Sequence, residues 1–297
     1  MPALSDNMRG ALLMIGSMAS FTLNDACMKV VLGKVPLFQA ILLRGTATVI
    51  LMVAVAHWLG GLDFRMPRRD WFLVIFRTLS DIGATYFFIT ALREMPIANI
   101  TAILQVLPLT VTLSSALFFG EALGWRRLVA ILIGFVGVMI IIRPGVDGFN
   151  SFAFHALAAV AFVTIRDLCA RRLSPGASSV TIALIGAFGV VTFAAVGAVA
   201  GNEWVDIDGH SAALLAAATI FIIGGYLFSV MTMRVGEISF TAPFRYTSLL
   251  WALLLGFMIF GDWPDQLTQL GIVIVVATGA FTFYREQQLS RKQRTVQ

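Results

Sequence analysis

Residues 22–29 read TLNDACMK, and residues 164–171, 142 positions further on, read TIRDLCAR. Thr22 corresponds to Thr164, Asp25 to Asp167, Cys27 to Cys169 and Lys29 to Arg171. Both stretches sit towards the end of long apolar runs, where an acid and a base are out of place. Two further correspondences follow in the same order. Thr101-Ala102 returns as Thr241-Ala242 at an offset of 140, and Phe119-Gly120-Glu121 returns as Phe260-Gly261-Asp262 at an offset of 141. Three ordered matches read as a duplication, with a small insertion in the second copy accounting for the drift.

The medium in which this duplication sits follows from composition. Of 297 residues, 59% are hydrophobic and 12% charged. A soluble globular chain carries about 25% charged residues, so water is not the solvent of most of this surface. The apolar residues come in blocks long enough to cross a hydrocarbon core of ~30 Å as helices of about 20 residues. Helices are predicted at 10–31, 37–58, 71–92, 97–119, 126–142, 151–170, 178–200, 211–233, 239–260 and 266–284, separated by short Gly- and Pro-bearing connections. The fold class is therefore all-α membrane protein, with ten transmembrane helices.

Basic residues set the orientation. Arg9, Arg65, Arg68, Arg69, Arg126, Arg127, Arg171, Arg172, Arg234, Arg285, Arg291, Lys292 and Arg294 fall on one side, and Lys34, Arg93 and Arg143 on the other, with Lys29 close to it. This asymmetry places both termini in the cytoplasm and the chain in the cell inner membrane. The net charge of +5 is thus a topology signal and gives no reason to expect nucleic acid as a partner. Because five is odd, the second copy enters the membrane from the opposite side. The expected organisation is two inverted five-helix repeats, 1–145 and 146–285, followed by a basic, unstructured cytoplasmic tail at 286–297. Inverted repeats are the architecture of secondary transporters, with a substrate site near the midplane. Asp25 and Asp167 become symmetry mates facing a central cavity, suited to coupling or gating. The same geometry keeps Cys27 and Cys169 apart.

Charged groups inside a span cost about 2.5–3.5 kcal/mol each on insertion scales, so they face protein or a wet cavity. In the fourth helix Thr101, Gln105, Pro108, Thr112 and Ser115 recur at 4, 3, 4 and 3, one polar stripe on one face. In the ninth, Thr241, Arg245 and Ser248 occupy the corresponding positions. Arg77 and Asp81 are four apart on the third helix. They either neutralise each other on entering the bilayer, or Asp81 titrates and Arg77 releases to a substrate anion. Asn24 shares a face with Ser17 and Ser20, and Tyr226 lies on a polar face of the eighth helix with Thr219 and Ser229. Candidate substrate-binding residues are Asn24, Arg77, Asp81, Gln105, Tyr226, Arg245 and Tyr246. Arg44 reads as a side chain snorkelling outward, Arg166-Asp167 as an interfacial ion pair, and Tyr86 as a packing residue. Gly134 and Gly137 read as points of close helix approach.

The ends of the two copies, FFGEALGWRRLVAILIGFVGVMIIIRPG at 118–145 and IFGDWPDQLTQLGIVIVVATG at 259–279, resemble the drug/metabolite transporter superfamily, specifically its ten-helix EamA-type members. The second copy departs from the pattern in carrying Asp262 where Gly-Glu is usual. The resemblance implies two inverted bundles, a cavity lined by the first, third, fourth, sixth, eighth and ninth helices, and alternating access. Family cargoes include amino acids, nucleobases, sugars, riboflavin and S-adenosylmethionine, so the motif points to transport without naming the solute.

No phosphate-binding Gly-rich loop, metalloprotease motif, nucleophile elbow or paired-Cys metal motif is present, and nothing suggests a cofactor. The expected function is secondary transport of a small polar metabolite, anionic or zwitterionic, amino-acid-like or riboflavin-like, with proton coupling at Asp25, Asp81 or Asp167. The competing reading is a membrane-embedded enzyme or scaffold acting on a lipid-linked substrate, which lacks a catalytic constellation. The expected partners are the solute and the lipid bilayer; a homodimer is left open.

Overall fold

The computed structural model describes residues 6–58, 62–120, 124–144, 150–174, 176–235 and 238–295. Helices α1 (Asp6–Leu32), α2 (Leu37–Trp58) and α3 (Arg68–Glu94) form the first three spans. The fourth comprises α4 (Ile97–Leu104) and α5 (Leu107–Phe119), and α6 (Trp125–Ile142) is the fifth. Next come α7 (Ala153–Arg171), α8 (Ser179–Gly201) and α9 (Gly209–Val235). The ninth span strings together α10 (Ile238–Thr241), a 3-10 segment (Ala242–Tyr246), α11 (Thr247–Leu255) and a π turn (Gly256–Phe260). Helix α12 (Gln266–Thr295) closes the chain. Ten segments are long and apolar enough to cross a membrane, and no strand occurs among the described residues. The all-α, ten-span expectation holds. The tail does not match its expectation: α12 runs on through 286–295 instead of ending at the membrane.

Two spans depart from the continuous helices expected of them. Pro108 has no N–H to offer Leu104 and its ring crowds that carbonyl, so α4 stops at Leu104 and α5 restarts at Leu107. Pro243 does the same to the ninth span, where five residues adopt the tighter 3-10 winding.

The chain divides into two compact units, each taking helices from both halves of the sequence. One comprises Met1–Leu23, Met95–Ala153 and Gly224–Gln297; the other comprises Asn24–Glu94 and Phe154–Ile223. In the first unit α6 lies along α12, and α4 packs on α11. In the second, α8 packs on both α2 and α3. The second span thus meets the seventh, the fourth the ninth, and the fifth the tenth.

Glycines make these approaches close, as expected where helices associate without a hydrophobic driving force between them. A Cβ on Gly137 would stand 2.8 Å from Ile274 and 3.1 Å from the Gly271 carbonyl, and one on Gly271 would stand 2.7 Å from the Gly137 carbonyl. Gly134 faces Leu109 and Thr278. In the second unit Gly45 faces Val191, Gly189 faces Thr78 and Gly197 faces Phe38. Tyr86 is held between Phe38 and Phe193 at 6.1 Å from each, which makes it a packing residue.

Gly271→Ala should therefore lower stability by roughly 1–3 kcal/mol, the usual cost of overpacking a close contact. Gly209→Ala, where nothing lies within 4 Å, should change it little. Thermal unfolding of the detergent-solubilised protein, followed by circular dichroism, separates the two.

Candidate functional site

The two interrupted spans break at corresponding places. Helix α5 begins at Leu107 and α11 at Thr247, 140 residues apart, the same offset that relates Thr101-Ala102 to Thr241-Ala242. Gly120, after the fourth span, and Gly261, after the ninth, both take left-handed conformations, with φ of 68° and 69°, as glycine allows at a helix end. The two interruptions thus share the offset of the Thr-Ala match, although the first is a turn and the second a 3-10 segment. Glu121, the partner of Asp262 in the sequence match, lies outside the described residues.

A break leaves backbone groups without helical partners, and hydrocarbon supplies none. Hydroxyls beside each break bond to carbonyls of the same segment. Thr110 Oγ1 donates to the Leu107 carbonyl at 3.0 Å, Thr247 Oγ1 to Phe244 at 2.6 Å, and Ser248 Oγ to Arg245 at 3.0 Å. Gln105, at the first break, donates its Nε2 to Ser248 Oγ at 2.9 Å. The two breaks are therefore joined by a chain from the Gln105 amide through the Ser248 hydroxyl to the Arg245 carbonyl. Of the two stripe residues expected to face a cavity, Gln105 and Arg245, only Gln105 spends its side chain on this link. The Arg245 side chain is exposed and has no acidic partner among the described residues.

Two other candidates in this unit sit differently. The Tyr246 phenol lies directly over Gly279, in the space a Cβ would need, so it seals the contact with α12. Tyr226 is 51% exposed and meets Phe21 edge-on at 5.4 Å. Beside it, Ser17 donates to the Gly225 carbonyl at 2.8 Å.

The second unit holds two charged clusters. In one, buried Asn24 donates to Asp25 Oδ1 at 2.9 Å and accepts from Arg44 Nη1 at 3.2 Å. Arg44 turns inward to Asn24 instead of snorkelling outward. In the other, Arg77 meets Asp81 at 3.1 Å, as the spacing predicts, and Arg166 bridges Asp81 at 3.5 Å and Asp167 at 2.9 Å. Arg77 also reaches the Ile182 carbonyl at 3.4 Å, and Gly186 leaves room for the Arg77–Asp81 pair beside α8. Two positive and two negative groups neutralise one another, which lets all four enter an apolar medium. The opening motif keeps its local geometry in both copies. Thr22 bonds back to Met18 and Thr164 to Val160, each at four residues, and the side chain before each Asp donates to it. Both cysteines are free.

Sequence reasoning missed Arg44 and Arg166 as members of these clusters. Their own positions carried the signal: an arginine inside an apolar span needs an acceptor, and Asn24 and Asp81 were the acceptors in reach. Among the described residues no group of three or more His, Cys, Asp or Glu could hold a metal.

Outside the spans, two aspartates act as N-terminal caps. Hydrogen bonds from Arg143 and then Thr268 lower the Asp265 carboxyl to about 2, and bonds from the Ser211 side chain and backbone, then Lys34, lower Asp208 to about 2. Each bonds a backbone amide in the first turn of its helix, Thr268 for α12 and Ser211 for α9.

An unfolded aspartate titrates near 3.9. The stabilisation from each cap is therefore complete at neutral pH and is lost only as pH falls from about 4 to about 2. Carboxyl NMR titration of Asp265 should give a midpoint near 2 in the native chain and return it towards 4 in Arg143→Gln. In the charged cluster, Asp81→Leu should destabilise more than the double change Asp81→Leu with Arg77→Leu, because the single change strands a half-buried cation. A double-mutant cycle on unfolding measures the difference.

Residues 8–143 match the model described as the EamA-like transporter family. The S-adenosylmethionine uptake transporter of Rickettsia felis is 24% identical over 94% of each chain. The riboflavin transporter of Vibrio cholerae is 28% identical over 83% of this chain and 84% of its own length. A solved crystal structure superposes with a TM-score of 0.65 at 19% identity, covering 94% of this chain and 98% of the other. That likeness speaks to the fold. The family and the relatives point to transport across a membrane and away from enzyme chemistry.

Proposed function

We propose that this chain, whose residues 8–143 match the EamA-like transporter family model, is a secondary carrier that moves a small polar metabolite across the inner membrane by alternating access. The observation that carries the reading is the pair of helix breaks, 140 residues apart, tied together through Gln105 and Ser248. Interrupted helices are found at transporter binding sites because freed backbone groups and the polar side chains beside them coordinate cargo that lipid cannot. Arg245, exposed and without an acidic partner among the described residues, is suited to an anionic or zwitterionic group through charge-assisted hydrogen bonds. Gln105, Ser248 and Arg245 form the anchor. Tyr226 offers an exposed ring. Asp25 and Asp167, in the matched motif of each copy, serve coupling or gating, and Asn24, Arg77 and Asp81 hold them in their charged setting. The repeats span 1–145 and 146–285 and are inverted, with both termini in the cytoplasm.

S-adenosylmethionine and riboflavin, the solutes named for relatives, are the first to test, followed by amino acids. Purified protein in proteoliposomes should take up at least one of them saturably and show counterflow, which a passive channel lacks. Failure to move any solute above empty vesicles, with and without a proton gradient, overturns the reading. Arg245→Ala should leave expression intact and abolish uptake, and Gln105→Leu should lower it by about tenfold or more. Normal uptake in either variant removes that residue from the site.

A further inference from the structure

We propose that a cavity at the junction of the ninth and tenth spans binds the primary ammonium group of a small amine or of an amine-bearing lipid headgroup. It is walled by Asn99, in the first turn of α4, and by Asp262, Trp263, Asp265 and Thr268, at the turn that leads into α12. The rest of its wall is proline and alanine, and all of it belongs to the first compact unit. Arg143 donates to both Asp265 carboxylate oxygens and to the Thr268 hydroxyl, so that carboxylate is already neutralised. The Asp262 side chain has no hydrogen-bond or cationic partner among the described residues, and the stretches outside them contain no Lys or Arg. The backbone holds Asp262 in place: Gly261 turns left-handed at a φ of 69°, and the Asp262 N–H donates to the Gly256 carbonyl at 3.0 Å. On the α4 side, Asn99 Oδ1 is buried and accepts no hydrogen bond. Buried amide oxygens are nearly always paired, so an open acceptor in a residue that lines a cavity points to a donor from outside the chain.

The class of donor follows from what these groups can hold. An open carboxylate and an open amide oxygen call for N–H groups that carry positive charge. Trp263, 62% exposed and edge-on to Phe257 at 5.9 Å, adds an indole ring of the kind that attracts cations. An anion would meet two carboxylates. A divalent metal ion takes about six or more oxygen ligands, and no group of three His, Cys, Asp or Glu able to hold one occurs among the described residues. A quaternary ammonium has no N–H for Asn99 or Asp262 to accept, whereas a primary ammonium has three. At about 130 Å³ the cavity is smaller than the ~300–1,000 Å³ of drug-sized pockets, and it suits a few heavy atoms. The ninth span ends at Phe260 and the tenth begins at Gln266, so free solutes and lipid headgroups are both in reach.

The test titrates the full-length chain, stripped of lipid in neutral detergent, by calorimetry with ethanolamine and, in parallel, with a short-chain phosphatidylethanolamine. Choline and the matching phosphatidylcholine, in which N-methyl replaces every N–H, are the comparison. At least one of the two amines should bind one-to-one, about tenfold or more tighter than its methylated counterpart. Asp262→Asn should weaken that binding about tenfold or more, through loss of a charge-assisted bond, and Asn99→Leu about fivefold. Glu203→Gln, which removes an exposed carboxylate from the other unit, should change nothing. Binding of ethanolamine itself makes this a solute site and binding of the lipid alone a headgroup site; both support the proposal. Equal binding of the methylated compounds, no binding of either amine, or unchanged binding in either cavity variant overturns it. If one of those variants does not fold, the other decides.

Discussion

A hydrocarbon interior offers a polar group no hydrogen-bond partner, and the architecture of this chain follows from that constraint. Every hydroxyl and charge placed in a span must be answered by protein or by a wet cavity. Many of the threonines in the spans do so trivially, by bonding to the carbonyl four residues back, as Thr22, Thr48, Thr164, Thr219 and Thr282 do. The charged residues cannot, and they gather: Asp25 and Arg44 share Asn24, and Asp81 sits between Arg77 and Arg166. Beside each proline break, a Thr or Ser hydroxyl bonds a carbonyl three residues back. The exposed Arg245 is conspicuous against this pattern of local satisfaction.

Helix association rests on the same absence of a hydrophobic drive. Van der Waals contact has to do the work, and it is strongest where backbones nearly touch. The Gly137–Gly271 contact is such a place, with each glycine facing the other's carbonyl. A consequence is that sequence neighbours are not packing partners. The second span finds the seventh and the fifth finds the tenth, so each compact unit is assembled from both halves of the sequence.

Much of this was legible beforehand. Span number follows from hydropathy alone, and the Arg77–Asp81 pair from a four-residue spacing. The close approach at Gly134 and Gly137 follows from residue size. What could not be read depends on contacts distant in sequence or on backbone details. The inward turn of Arg44 needed the knowledge that α1 and α2 bring Asn24 within reach. The link from Gln105 to Ser248 crosses 143 residues, whereas the stripes alone gave only corresponding positions on two helices. Pro108 was visible, yet polar spacing masked its effect on winding. The continuation of α12 to Thr295 was hidden because low hydropathy marks where a membrane stops and says little about where a helix does.

The uneven winding of the ninth span carries a mechanical consequence. A 3-10 helix advances about 2.0 Å and 120° per residue, an α-helix 1.5 Å and 100°. Rewinding Ala242–Tyr246 to α geometry would shorten that stretch by about 2.5 Å and swivel everything after it by about 100°. Each free donor would only shift its grip from the third preceding carbonyl to the fourth, and Pro243 has no donor to shift. The segment is in effect a screw thread, in which a small exchange of hydrogen bonds becomes a quarter-turn of the rod beyond it.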